Sequence, residues 1–193
     1  GADFLTGGVL KWLCGGPGGC FIYVAPSASA QLEPALTGWQ AHARPFAFED
    51  GMDYADGAAR WLGGTPVIPA FFANAEGPRI IARAGIAAIR EKSIRQTSRL
   101  IALADERGYT VSAPRDASRR GGTVAFDVPN GKAVAQALIA RDVIIDYRPG
   151  AGIRVAPHFY TTDAEVERVA GEIDDILRTE AWRAYEGNRP TVT

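Results

Sequence analysis

Lys11 stands beside a glycine-rich segment that could give its amine a chemical role. Residues 7–20 read GGVLKWLCGGPGGC, so Leu10 and Trp12 flank the lysine. An ammonium group among apolar neighbours loses hydration, which favours the neutral amine, and a neutral amine attacks carbonyl carbons to form Schiff bases. The glycines around Pro17 can take positive φ angles and present N–H groups to an anion or a flat ring. The alternative is a lysine that reaches solvent from a strand end beside an ordinary turn.

Arg154 is the second candidate, in the run RPGAGIRVAPHFY that covers residues 148–160. It alternates with Ile153 and Val155, which predicts a strand with the arginine on the face opposite two apolar residues. A guanidinium held on a strand suits a planar carboxylate, because two parallel N–H groups meet two oxygens. The alternative is an exposed arginine in a salt bridge. Arg148 is interpreted as structural or loop-ordering.

The lysine segment resembles the cofactor-lysine region of fold-type I pyridoxal-phosphate enzymes, in the class V aminotransferase group and its kynureninase-like members. The match consists of Lys11 followed by the turn Gly16-Pro17-Gly18-Gly19. The resemblance implies that Lys11 holds pyridoxal 5'-phosphate as an aldimine and moves the substrate's protons. The Ile-Arg-Val-Ala-Pro run around Arg154 is also similar to this group, which implies that Arg154 binds the α-carboxylate of an amino acid substrate.

A third segment, Gly38-Trp39-Gln40-Ala41-His42, resembles the Gly-Trp-x-x-His motif of the kynureninase-like enzymes. The resemblance implies that Trp39 reaches the cofactor phosphate of a neighbouring subunit, and hence a homodimer with a shared active site. A core or interface aromatic residue is the alternative for Trp39. His42 and His158 are possible pocket residues, and for each the alternative is a structural hydrogen-bonding role.

Thr65 and Pro66 predict the start of a buried helix over residues 67–74, with Thr65 as its cap. A hydroxyl and free N–H groups at a helix start suit a phosphate oxygen. Class V enzymes commonly carry a Gly-Thr pair here that binds the cofactor phosphate across the dimer, whereas typical kynureninases use asparagine in this region. Kynureninases also usually have tyrosine before the lysine, where this chain has Leu10.

The reaction implied by the resemblance is the hydrolytic Cβ–Cγ cleavage of kynurenine-type substrates. The alternatives are a class V aminotransferase, or an epimerase or lyase acting on another amino acid. A cysteine desulfurase is disfavoured, because the segment that leads to Arg154 contains no cysteine. A nucleotide-binding domain is also disfavoured, since the glycines at 15–19 fit neither phosphate-loop pattern.

Composition excludes several classes of partner. The chain has 193 residues, of which 47% are hydrophobic, and 21 Lys and Arg balance 22 Asp and Glu. We therefore expect no nucleic acid partner. Cys14 and Cys20 are not spaced as CxxC, so we expect packed, reduced thiols and no metal site. Neither a membrane-spanning run nor a signal peptide is visible, which predicts a cytoplasmic protein without membrane contact.

The fold class predicted from pattern and resemblance is α/β, followed by a small α+β domain. Residues 1–85 are expected to end the large pyridoxal-phosphate domain, and residues 86–193 to form a linking helix and the small carboxy-terminal domain. A short buried strand is predicted at 21–24, and further strands are predicted at 109–112, 122–128, 143–147 and 152–156. Helices are predicted at 67–74, 77–108 with a break near Gly85, 131–141, and 163–178 with Thr161 or Thr162 as cap. Residues 25–31 are predicted as a loop, and residues from 181 onward as a short helix and a loose tail.

Enzymes of the resembled family are about twice this long, with the lysine near the middle. The sequence therefore resembles a carboxy-terminal half. The aromatic residue that stacks on the ring, the aspartate beside the pyridine nitrogen and the main phosphate loop belong to the other half. The segment alone is thus expected to be inactive, and a non-catalytic dimerisation fragment is the alternative.

Overall fold

The computed structural model describes residues 1–187. The chain divides into two compact units, Gly1–Gly85 (unit 1) and Ile86–Thr193 (unit 2). Both units combine helices with an antiparallel sheet. The role of each unit within a larger pyridoxal-phosphate fold stays a prediction.

Unit 1 begins with a β-hairpin. Strand β1 (Phe4–Gly8) pairs antiparallel with β2 (Cys20–Val24), and the register runs from Phe4 opposite Val24 to Gly8 opposite Cys20. The predicted strand at 21–24 is therefore present, but the expectation that it is buried is wrong, because only Val24 is buried. A two-stranded sheet without a covering layer leaves most of its side chains in solvent.

The rest of unit 1 consists of short helices. Helix α1 (Pro26–Gln31) occupies the segment predicted as a loop. That prediction was wrong, because Pro26 suits a first helical turn and alanine tolerates helical geometry. Three 3₁₀ turns follow, at Trp39–Ala41, Pro45–Ala47 and Gly57–Trp61.

Helix α2 (Ile68–Asn74) differs from its prediction in two respects. Its N-cap is Val67 and not Thr65, and no side chain caps it. Pro69 lies in the first turn, where the missing N–H costs nothing, so the helix begins two residues later than Pro66 suggested. The helix is also largely exposed, since Asn74 is its one buried residue.

The long helical segment breaks where the sequence predicted. Helix α3 (Glu76–Ala84) ends before Gly85, which has a φ of 85°, and α4 (Ile86–Glu106) begins after it. A positive φ favours glycine, because a side chain at that backbone conformation is strained. The predicted break near Gly85 is therefore confirmed.

Unit 2 is built on a four-stranded antiparallel sheet of order β3-β4-β6-β5. Its strands are β3 (Thr110–Val111), β4 (Val124–Asp127), β5 (Asp146–Arg148) and β6 (Gly152–Val155). Helices α4, α5 (Gly131–Ala140) and α6 (Asp163–Arg178) complete the unit. The predicted strand at 143–147 begins later than expected, at Asp146. A 3₁₀ turn follows at Ala181–Tyr185, and part of the predicted loose tail, residues 188–193, lies outside the described residues.

The core of unit 2 joins one face of the sheet to the helices. Its fully buried members come from α4, α5, α6, β4 and β6: Leu100, Leu138, Ile153, Ile173, Ile176, Val124 and Val134. Helix α6 starts with a capping box in which Thr162 and Glu165 exchange hydrogen bonds, as the sequence predicted for one of two threonines. Within the described residues, none of the helices combines the length and apolar character needed to cross a membrane.

Candidate active site

Lys11 lies in the loop of residues 9–19 that connects β1 to β2. Backbone hydrogen bonds close this loop at its base, from Val9 N to Gly19 O (3.1 Å) and from Gly15 N to Val9 O (2.8 Å). The lysine itself starts a turn in which its carbonyl accepts from Cys14 N at 3.0 Å. Its side chain is exposed, as are Leu10 and Trp12. Unit 1 therefore holds the backbone of Lys11 in place but does not supply the desolvation expected from the sequence.

The glycine loop packs around Asn74, a residue that the sequence analysis missed. Asn74 is 5% exposed, and its Nδ2 is 3.5 Å from the carbonyl oxygen of Pro17. A Cβ on Gly19 would lie 2.5 Å from that Nδ2, and a Cβ on Gly15 or Gly16 would lie 3.0–3.1 Å from Asn74 Oδ1. These three glycines make room for the amide. Of the loop glycines at positions 15, 16, 18 and 19, only Gly18 has a positive φ (83°). The other three are explained by packing against Asn74 and not by the anion-binding backbone conformation that the sequence predicted.

Helix α3 approaches the same loop from its amino-terminal end. A Cβ on the buried Gly77 would overlap the backbone of Cys14, so the helix fits here only with glycine at this position. Cys14 is partly buried and Cys20 is exposed, which corrects the expectation that both thiols are packed. The sequence does contain a signal that could have identified Asn74, because it is a polar residue at the end of an apolar stretch, three residues before a glycine.

Trp39 lies close to the turn that precedes Thr65. Gly38 N donates to Leu62 O at 3.4 Å, and Gln40 N donates to Gly63 O at 3.2 Å. Gly38 meets the backbone of Gly63 so closely that a side chain would not fit. The indole Nε1 of Trp39 lies 4.0 Å from the position that a Cβ would take on Gly64.

Thr65 follows this turn directly and is exposed. The structure thus brings the Trp39 segment together with the turn that carries Thr65, although the two are far apart in sequence. The Trp39 ring also contacts two exposed aromatic rings, edge-on to Phe46 at 5.3 Å and stacked with Phe48 at 6.4 Å.

His42 has a structural environment. It is 8% exposed, and its Nδ1 accepts from the backbone N–H of Arg44 at 2.9 Å. Its Nε2 lies 3.9 Å from Glu49 Oε2, and its backbone pairs with Tyr54 across an isolated bridge. These contacts favour the hydrogen-bonding alternative that the sequence left open for His42.

Arg154 lies on β6 with its neighbours arranged as the alternation predicted. Ile153 is fully buried and Val155 is 6% exposed, whereas the Arg154 side chain is 38% exposed on the opposite face. Its guanidinium donates from Nη2 to Asp146 Oδ2. Arg148 Nη2 lies 3.3 Å from the same oxygen. Partial burial opposes ionisation of Asp146, but the hydrogen bond and charge of Arg154, with the charge of Arg148, hold the pKa of its carboxyl below the usual value.

His158 lies in the turn after β6, where its ring stacks on Tyr160 at 4.7 Å. The Nδ1 of His158 accepts from the backbone N–H of Phe159 at 2.9 Å, and the backbone N–H of His158 donates to Thr161 Oγ1 at 3.0 Å. The residue lines a cleft of about 440 Å³ between this turn and α6. Arg154 is not among the residues that line this cleft.

Comparison of the sequence with known proteins identifies relatives of this chain. Residues 89–173 match the model of the kynureninase C-terminal domain. Kynureninase from Pseudomonas fluorescens is 36% identical over 188 residues, which cover 94% of this chain and 45% of that protein. Kynureninase from Burkholderia mallei (strain SAVP1) is 37% identical over 199 residues, covering 100% of this chain and 48% of that protein.

Solved structures give the fold. The cysteine desulfurase of Thermococcus onnurineus NA1 superposes with a TM-score of 0.78 at 24% identity, over 92% of this chain and 48% of that one. A cystine C-S lyase, solved with its reaction product cysteine persulfide, gives a TM-score of 0.75 at 22% identity, over 90% and 46%.

The fold is that of the fold-type I pyridoxal-phosphate enzymes of the class V group. The chain spans about half the length of the curated relatives it matches. Within that class it is kynureninase-like, and it resembles the carboxy-terminal half of a kynureninase.

Proposed function

We propose that this chain is part of a pyridoxal-phosphate enzyme of the kynureninase type, which cleaves the Cβ–Cγ bond of kynurenine-type amino acids by hydrolysis. The observation that carries the proposal is the similarity to kynureninases along the whole chain, at 36–37% identity. The structures compared include one in which glycine is covalently linked to the PLP cofactor.

The donor set of unit 1 is chemically suited to this cofactor. An aldehyde needs a primary amine, and Lys11 supplies one on an exposed turn whose backbone is hydrogen-bonded. A phosphate needs several hydrogen-bond donors. The indole N–H of Trp39 and the hydroxyl of Thr65 flank one glycine turn, where a Cβ on Gly63 would meet no atom within 4 Å. We propose that Lys11 of one subunit holds the cofactor together with Trp39 and Thr65 of a second copy of the chain.

Several further roles in the reaction are assigned to residues of this chain. When bound, pyridoxal phosphate supplies an electron-accepting ring that stabilises negative charge on the substrate α-carbon. In this proposal Lys11 Nζ removes and returns protons at the substrate. Arg154 binds the substrate α-carboxylate with its guanidinium. His42 keeps the backbone around Arg44 in place through its Nδ1.

One observation favours a second reaction. Leu10, which is 55% exposed, stands where kynureninases usually have tyrosine, so a phenol that could donate a hydrogen bond or move a proton is missing. A class V aminotransferase or a lyase acting on another amino acid is therefore the second candidate. Release of anthranilate and alanine from kynurenine supports the first, and dependence of turnover on a keto acid supports the second.

We also propose that the complete protein is a cytoplasmic homodimer with a shared active site. Exposed aromatic residues beside Trp39 support an interface at this segment. Cys14 and Cys20 both remain thiols, which suits a reducing compartment. In this proposal the 193-residue segment alone is inactive.

The cofactor assignment is tested on the complete protein that carries this sequence. Borohydride reduction after incubation with pyridoxal phosphate should leave a pyridoxyl group on the peptide containing Lys11, detected by mass spectrometry. Lys11→Ala should lose both this label and the visible absorbance of the bound cofactor.

The matched control is Lys132→Ala, which changes an exposed lysine of unit 2 outside the proposed site. It should leave label and absorbance unchanged. A label on Lys92 or Lys132 in the native protein, or no label at all, would contradict the proposal.

A further inference from the structure

Asp146 is placed beside Arg154 by the backbone of the sheet. Strands β5 and β6 pair antiparallel, with Asp146 directly opposite Arg154 in the register. Directly opposite residues in an antiparallel pair project from the same face with their Cβ atoms about 5 Å apart. On the other flank of Arg154, β4 contributes Ala125, which is too small to reach the guanidinium. The contact between the two charged groups is therefore a consequence of strand register.

The guanidinium of Arg154 is held by few partners. Among the described residues, Asp146 is the one that accepts a hydrogen bond from it, through Nη2. The Nε of Arg154 is buried and has no partner within residues 1–187. A guanidinium carries five N–H donors, so most of them stay available after the bond to Asp146 is made. The side chain is fixed at one end and open to a second carboxylate.

The cluster formed by Asp146, Arg148 and Arg154 keeps a net positive charge that attracts an anion. Arg148 and Arg154 both approach Asp146 Oδ2, so two positive groups share one negative group and the cluster remains positive by one formal charge. Arg148 is the more exposed arginine, with 53% of its side chain in solvent, and it contacts Asp146 at 3.3 Å. An aspartate in this position orients Arg154 without cancelling the positive charge that a substrate carboxylate needs.

We propose that Asp146 is a positioning residue that holds the Arg154 guanidinium in the orientation that receives the substrate α-carboxylate. The inference rests on the proposed function, in which Arg154 is the carboxylate receptor. Asp146 acts through Arg154 and does not touch the substrate. Its contribution is therefore expected in the affinity for carboxylate ligands and not in the chemical step.

The test uses the complete protein loaded with pyridoxal phosphate. Dissociation constants are measured for L-alanine, which carries an α-carboxylate, and for ethylamine, which lacks it. Asp146→Ala should weaken L-alanine binding about tenfold, the effect of losing an oriented charge-assisted hydrogen bond. Ethylamine binding should change by less than about twofold, because ethylamine has no carboxylate for Arg154 to bind. The kcat of the native reaction should also change by less than about twofold, because a contact that is equally strong in the bound substrate and in the transition state affects KM and not kcat.

Two further variants separate positioning from simple charge or folding effects. Asp146→Asn keeps an acceptor oxygen at the same distance and should restore L-alanine binding to within about threefold of the native value. Asp146→Glu keeps the charge but moves it by one methylene, so it should weaken L-alanine binding as Ala does. Asp105→Ala, which breaks an exposed pair with Arg115 elsewhere in unit 2, is the matched control and should have no effect.

Different results identify which idea fails. Native or tighter L-alanine binding in both Asp146→Ala and Asp146→Glu, with loss of binding in Arg154→Ala, overturns the role of Asp146 and leaves the proposed function standing. Native L-alanine binding in Arg154→Ala overturns the carboxylate assignment, and the inference with it. Equal losses for L-alanine and ethylamine in the Asp146 variants also overturn the inference, since a positioning role affects only the carboxylate ligand.

Discussion

At the residue scale, close packing against Asn74 explains why the loop that carries Lys11 is rich in glycine. The sequence suggested that they present N–H groups to a ligand, whereas Gly15, Gly16 and Gly19 lie where any Cβ would approach the buried amide of Asn74. The Oδ1 of this amide is buried and has no hydrogen-bond partner in the described part of the chain. A buried unsatisfied oxygen costs stability, so the close packing of the loop around it must compensate. The glycines are then required by the fold of the loop that carries Lys11.

The packing role leads to a prediction for Gly19→Ala. The new methyl group would lie 2.5 Å from both Asn74 Nδ2 and Val9 Cγ2, so the loop must shift. Overpacking of this kind costs about 1–3 kcal/mol. Urea unfolding followed by the fluorescence of the four tryptophans, which include Trp12 in the loop, should show this loss.

Gly8→Ala is the matched control for that experiment. It lies in the same hairpin, but its nearest atom would be 3.8 Å away, which is ordinary van der Waals contact. Its free energy of unfolding should change by less than about 1 kcal/mol, the range of a mild backbone effect. Equal stability of Gly19→Ala and the native chain would refute the packing role of the loop glycines.

At the element scale, the strands of the two units differ in how they are covered. Strand β6 alternates between fully buried Ile153 and partly exposed Arg154, because helices cover one face of its sheet. In the β1–β2 hairpin, Phe4, Leu5, Phe21 and Tyr23 are all exposed, at 39–49%. Apolar side chains that remain in water contribute little to stability, since the hydrophobic effect requires their removal from solvent.

The difference predicts unequal hydrogen exchange in the 193-residue chain. Amides of β4 and β6 should be protected up to the global stability of unit 2, because their strands lie in its core. Amides of β1 and β2 should exchange at least about tenfold faster through local opening. Exchange followed by mass spectrometry measures both sets in one sample, and equal protection of the two sheets would contradict the expectation.

Many helices and strands of unit 2 could be predicted, because the sequence signals that define them lie within a few residues of one another. Helix α6 has the predicted bounds, since Thr162 and Glu165 form a capping box and its apolar residues recur at helical spacing. The break at Gly85 was also predictable, from a glycine inside a helical pattern. Helix α1 was missed because its composition of alanine and serine is compatible with both helix and loop. The start of α2 was misplaced because either of two prolines could open it.

At the scale of the whole molecule, the exposed large apolar side chains lie mostly in unit 1. The buried apolar residues of unit 1 are few: Val24, Ala28, Ala41 and Ile81. The core of unit 2 includes Leu100, Leu138 and Ile173 and extends over three helices and the sheet. Phe46 and Phe48 beside Trp39 are exposed at 75% and 80%. Exposed apolar surface of this extent is typical of interaction surfaces, as the proposed dimer requires.

The proposed shared site predicts complementation between two inactive variants of the complete protein. If Lys11 of one subunit works with Trp39 of the other, a mixed dimer of Lys11→Ala and Trp39→Ala contains one site with both native residues. Random pairing should then restore about a quarter of the native sites, measured as kynurenine turnover after the subunits are exchanged. Sedimentation equilibrium should give the mass of a dimer. A monomer, or no recovery from a mixture shown to contain mixed dimers, would refute the shared site.

The sequence by itself determined the candidate chemistry and most of the local structure. Lys11, Trp39, Thr65 and Arg154 were identified from residue type and motif, and α6 and the Gly85 break from capping and backbone preference. These signals are local, because propensity, capping and alternation act within a few residues.

Only the tertiary structure decided which side chains meet. It placed Asn74 inside the lysine loop, Gly38 against Gly63 beside Trp39, and Asp146 opposite Arg154. It also showed that Lys11 and most of β2 are exposed in unit 1. Such contacts depend on strand register and on the packing of elements that are distant in sequence, and no local pattern encodes them.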